Sequence, residues 1–157
     1  MKPDPKLDLT LERTIDVPPR LLWKAWTEPR HLLKWYCPLP WKVVECDIDL
    51  RPGGLFRTLM RGPGKGEEQV ITGCYLELVE NRKLVWTDSL VADFRPNAEP
   101  FLTFTAVIEM QAKGKGTKYS ALVMHKDPET RKKHDEMGFR DGWGKATDQL
   151  AEFAKTL

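Results

Sequence analysis

Three histidines, His31, His125 and His134, and two carboxylates on strand-like runs, Glu77 and Asp88, are the side chains of this sequence best suited to move a proton. A carboxylate or imidazole does acid–base work when an apolar pocket withdraws it from water and brings its pKa toward neutrality. By alternation Asp88 shares a face with Leu84 and Trp86, and Glu77 shares one with Tyr75, so either can project inward. Asp88, Glu77 and His125 are thus the candidate catalytic groups. His125, Asp127 and His134 stand close enough in the chain to suggest a metal site, yet no histidine pair has the i, i+3 or i, i+4 spacing of a helical one. No metal and no cofactor is expected. His134 and Asp141 share a helix face and can meet at the mouth of a cavity, although a surface position suits both. Ser89 and Ser120 lack the context of an activated nucleophile. Arg51-Pro52-Gly53-Gly54 lacks the Lys-Ser/Thr ending and the following helix of a phosphate loop, and reads as a hairpin turn.

The remaining composition narrows the class of protein. Cys37, Cys46 and Cys74 are odd in number and lack zinc-ligand or redox spacing, so three reduced thiols are expected. A net charge of +2 is too small for a nucleic-acid footprint, and the basic run Arg131-Lys132-Lys133 is followed at once by Asp135 and Glu136. The first residues carry prolines and charges where a secretory signal needs an apolar run, and no stretch is long and apolar enough to span a membrane. The expectation is a cytoplasmic protein of one domain over residues 1–157, ordered from about residue 7 to 155, as monomer or homodimer. Its 41% hydrophobic content suffices for one core, and six tryptophans supply bulky wall material.

The elements that must position these groups follow from periodicity. Leu7, Leu9, Leu11 and Ile15 alternate with polar residues as a half-buried strand. Pro18-Pro19 starts a helix that Pro29 ends while starting another, which stops before Pro38 and Pro40. From Trp41 to Met124 the alternation returns in six runs separated by turn residues, an antiparallel meander that brings the strand count to seven. In its first run Val44, Cys46, Ile48 and Leu50 fall on one face. Asp127-Pro128 opens a terminal helix whose apolar stripe runs Phe139, Trp143, Ala146, Leu150, Phe153 and Leu157.

That helix is interrupted by Gly138, Gly142 and Gly144, which together cost on the order of 2–3 kcal/mol of helix propensity. Close approach of another element, or open space beneath the helix, would offset the loss. Projected backwards, the stripe meets Lys132, Asp135 and Glu136, so a straight helix cannot bury its first turns as it buries its last. A bend is expected near Gly138.

This order is that of an α+β helix-grip fold: a curved seven-stranded antiparallel sheet around a long C-terminal helix, with two short helices after strand 1. The motifs Trp35-Tyr36, Asp49-Leu50-Arg51-Pro52-Gly53-Gly54-Leu55-Phe56, Gly73-Cys74-Tyr75-Leu76-Glu77, Leu84-Val85-Trp86-Thr87 and His134 to Trp143 resemble bacterial proteins similar to the C-terminal domain of the activator of the heat-shock-protein-90 ATPase. These belong to the START-like, polyketide-cyclase-like superfamily. The resemblance covers about residues 8–155 and is specific for fold, not for chemistry. It implies a largely apolar cavity between helix and sheet, holding a lipid-like or aromatic small molecule. Trp35, Trp41, Phe56, Tyr75, Trp86, Phe104, Phe139 and Trp143 are the candidate wall, with Trp86 and Trp143 foremost. The family name also implies docking on an ATPase chaperone, and fold analogy permits a cyclase- or hydrolase-type enzyme.

Overall fold

The computed structural model describes residues 1–157. Its elements in chain order are β1 (Asp8–Ile15), α1 (Pro19–Thr27), α2 (Pro29–Trp35), β2 (Lys42–Ile48), β3 (Leu55–Arg61), β4 (Glu68–Val79), β5 (Lys83–Thr87), β6 (Leu90–Val91), β7 (Arg95–Pro96), β8 (Phe104–Lys113), β9 (Gly116–His125), α3 (Pro128–Glu136) and α4 (Phe139–Ala154). Seven strands form one antiparallel sheet in the order β1-β9-β8-β5-β4-β3-β2. The eighth and ninth, β6 and β7, make a two-residue ribbon inside the loop between β5 and β8, which alternation does not reveal. With the terminal helix packed against α1, α2 and β1, this is the helix-grip architecture expected from the sequence.

Pairing of the first strand with the last decides where the histidines lie. Ile15 stands opposite Thr117 and Asp8 opposite Met124, so the end of β9 reaches the residue preceding β1. The Leu7 carbonyl there accepts both the amide and the ring Nδ1–H of His125. Alternation then puts Thr117, Tyr119, Ala121, Val123 and His125 on the inner face of β9, all buried.

Two β-bulges displace residues from the faces that strict alternation assigns them. In β2 the register shifts between Val43 and Glu45, so Val43 is buried and Val44 is exposed rather than grouped with Cys46 and Ile48. In β4 it shifts between Tyr75 and Glu77, after which Leu78, not Glu77, pairs with the inward Leu84. The hydrophobic pattern is kept because one extra residue is absorbed.

The terminal helix breaks where its apolar phase fails. Asp127 caps α3 by accepting from the Thr130 amide at 2.7 Å, and α3 stops at Glu136. Gly138 then adopts a left-handed φ of +92°, and α4 begins at Phe139. No atom lies within 4 Å of where a Gly138 Cβ would stand, so the backbone conformation alone requires glycine there. Gly142 has only the Pro38 ring beside it, at 3.7 Å. At Gly144 a Cβ would come within 2.9 Å of the Arg13 guanidinium, so the side chain that interrupts the inward apolar series of β1 lies against this glycine.

Candidate functional site

Beneath the first half of α4 lies a pocket of about 220 Å³. Its walls come from both short helices, the inner sheet face and the α3–α4 break. Phe139 and Trp143 project from α4, Phe104 from β8, Tyr119 from β9, Trp35 from α2, and Met137 stands half exposed between the helices. The turn after α2 adds Tyr36, Cys37 and Pro38. This turn is fastened to α4 by Gln149, whose amide donates to the carbonyls of Trp35 (3.0 Å) and Cys37 (2.8 Å) and accepts from the Leu39 amide (3.1 Å). No lysine, arginine, aspartate or glutamate lines the pocket.

The aromatic candidates separate into wall, backing and outlier. Trp35, Phe104, Phe139 and Trp143 lie on the wall. Trp86 stands behind Trp143, the two rings nearly parallel at 7° with centroids 6.3 Å apart. Phe56 and Tyr75 stack on each other at 5.1 Å, and Phe56 packs against Trp86, so these three form a filled layer rather than pocket surface. Trp41 is elsewhere, its indole against Gly62 at the outer end of β3.

The three catalytic candidates do not face the pocket. Asp88 is fully buried, but both carboxylate oxygens are used: Oδ2 accepts from the amides of Leu102 (2.7 Å) and Thr103 (3.1 Å), Oδ1 from Phe104 (2.8 Å). It anchors the loop entering β8 and holds Thr103 at a left-handed φ of +51°. Glu77, turned outward by the β4 bulge, pairs with Lys83 at 2.7 Å. His125 is buried, with one ring nitrogen on Leu7 and the other on His134. Asp141 is exposed and makes no hydrogen bond with His134. No cluster of three or more histidine, cysteine, aspartate or glutamate side chains could hold a metal ion.

His134 is the imidazole that borders the pocket, whose other polar side chains are Tyr36, Cys37, Tyr119 and Thr147. It is 7% exposed overall and lies among the rings of Phe104, Phe139 and Trp143, with centroid distances of 5.8, 5.2 and 6.2 Å. Its Nδ1 is 2.9 Å from His125 Nε2. Burial, with His125 as neighbour, lowers its pKa to about 4, so it is neutral at pH 7. Burial raises the phenols of Tyr36 and Tyr119 above the usual tyrosine range and pushes the Cys37 thiol up to about 11. Every titratable group on the wall is therefore uncharged near neutrality. The Tyr119 hydroxyl accepts from the Trp26 indole N–H at 3.1 Å.

Residues 16–155 match the family described as Activator of Hsp90 ATPase homolog 1-like protein. The chain belongs to this family. Among solved structures it is similar to protein NE0264 from Nitrosomonas europaea, at 46% identity over 98% of this chain and 97% of that one, with a TM-score of 0.93. A Rhodobacter sphaeroides protein (21% identity, 99% and 97% covered, TM-score 0.83) and an AHSA1-like protein from Aeromonas hydrophila (14%, 96% and 93%, TM-score 0.72) share the fold. No protein of curated function matches. No helix is long and apolar enough to cross a membrane.

Tyr119 is a wall residue that the sequence reading did not single out, and the partner of His134 is His125 rather than the Asp141 that helix spacing suggests. The inward alternation of β9 marks Tyr119 and His125 together, and that signal was available. The contact of His134 with His125 was not, because it depends on how α3 folds back over β9.

Proposed function

We propose that this AHSA1-like domain binds a small, apolar, uncharged aromatic molecule in the pocket beneath the first half of α4. The observation that carries the reading is a wall of aromatic and aliphatic side chains with no formal charge around about 220 Å³ of space. A dry cavity of about 150 Å³ accepts benzene, whereas drug-sized ligands occupy roughly 300–1,000 Å³. The enclosed space therefore suits one substituted ring or two fused ones. An ionised guest would lose its hydration shell without gaining a counter-charge, which costs several kcal/mol or more. Helix thinning supports the same assignment, since Gly142 and Ala146 leave room where a leucine would fill it.

Tryptophan fluorescence gives the test, because Trp143 and Trp35 lie on the wall and Trp86 touches Trp143. Titration with p-xylene and naphthalene should give a saturable change, and native mass spectrometry of freshly purified protein should detect a guest of matching size. Absence of saturation with every one- and two-ring probe overturns the proposal.

A further inference from the structure

With His125 neutral, the hydrogen bonds around it leave His134 only one neutral form. The Leu7 carbonyl can only accept, so His125 Nδ1, 2.8 Å away, carries a proton and donates it. In neutral His125 the Nε2 is then a bare lone pair. His134 Nδ1 faces that lone pair at 2.9 Å and must be the donor, since two bare nitrogens at this distance would repel. Neutral His134 has one ring proton, and it is spent on His125. Its Nε2 is therefore an unprotonated acceptor, it has no protein partner, and its ring borders the pocket.

Resting on the binding function proposed above, we propose that His134 Nε2 is a recognition point for the hydroxyl of a neutral phenol-class ligand, which donates its O–H to this nitrogen while its ring contacts Phe104, Phe139 and Trp143. A carbonyl-only or purely hydrocarbon guest would shut the nitrogen off from water without giving it a partner, and an unmade hydrogen bond in such a site costs about 1–3 kcal/mol. Tyr119 strengthens the preference for oxygen: its hydroxyl already accepts from Trp26, so its own proton is free for an oxygen lone pair of the ligand. Phenolate and carboxylate are disfavoured because no cation lines the wall. His125 is a positioning residue; it touches no ligand and fixes which nitrogen of His134 bears the proton.

The test uses an isosteric pair, p-cresol and p-xylene, in which a methyl replaces the hydroxyl. With the full chain at pH 7.5, p-cresol should bind several-fold, up to about tenfold, more tightly than p-xylene, the fold-change expected for one well-made hydrogen bond. His134→Phe should bring the two affinities together, whereas His134→Gln, which offers an amide N–H to His125 and a carbonyl to the pocket, should keep part of the ratio. If p-xylene binds the wild type as tightly as p-cresol, this inference fails and the function proposed above stands. If neither binds, this inference fails, and the function proposed above fails with it when naphthalene also gives no saturation. A ratio that survives in His134→Phe also overturns the inference. Should that variant not fold, ¹⁵N-histidine NMR of the wild type decides: the His134 Nε2 resonance should be of the unprotonated type and move with p-cresol but not with p-xylene, and a protonated Nε2 overturns the proposal.

Discussion

The two halves of α4 share one apolar stripe and yet end in opposite environments. Over the C-terminal half, Leu150 and Ala154 have no exposed surface, Phe153 meets the His31 ring at 5.3 Å, and Gln149 ties the turn after α2 to the helix. Over the N-terminal half the same stripe passes through Phe139, Gly142, Trp143 and Ala146, which border open space. Periodicity tells a helix which way to face. Side-chain size decides whether what it faces is filled. The anchored half holds position so that the thinned half can remain hollow.

The largest expected effect probes the solid half. Leu150→Ala should cost about 3–4 kcal/mol in urea unfolding, the usual penalty for removing a fully buried leucine, without changing p-xylene affinity. A cost under about 1 kcal/mol, or a gain in affinity, would show that this half is not packed as described.

The second probes the histidine that borders the hollow half. His134 has a folded-state pKa of about 4, below the roughly 6.5 of an unfolded histidine, so between these values the unfolded chain binds protons that the native state refuses. Its contribution, about 3 kcal/mol, is fully present above pH 6.5 and is lost as the pH falls toward 4. The groups acting on it are His125 on β9 and Asp135 beside it on α3, and no charged side chain faces it from the pocket. Stability curves of wild type and His134→Phe, measured at pH 7 and pH 4, should therefore differ in slope. Parallel curves would mean that His134 is wetter than its position implies.

The smallest effect has the most distinctive sign. Gly142→Ala should stabilise the protein by up to about 1 kcal/mol, because its methyl meets only the Pro38 ring at an ordinary 3.7 Å and the helix gains propensity. The same methyl takes up space at the pocket mouth, so aromatic probes should bind several-fold more weakly. Thermal denaturation and fluorescence titration on one preparation read both. Stabilisation with undiminished binding would place the guest away from Gly142.

Much of this arrangement was legible in the residues, and the failures share a cause. The break at Gly138 could be read because a helix phase that meets Lys132, Asp135 and Glu136 cannot stay buried, and the proline-bounded α1 and α2 declared themselves. Glu77 and Val44 were placed on the wrong faces because a β-bulge shifts register by one residue and leaves no mark in composition. Alternation allowed Asp88 either face; its burial is fixed by three consecutive amides of a loop, and backbone geometry is silent in a sequence. The aromatic residues announced a core; which of them stop at a surface, as Trp143 does, and which lie a layer behind, as Trp86 does, depends on shape in three dimensions.

A wall without charge also offers a guest no ion pair for dissolved salt to screen. Occupancy of this pocket should accordingly not weaken as salt is raised, since no ion pair with the guest is there to be screened. Among small molecules in a crowded solution, the protein would choose by fit and by one proton rather than by charge.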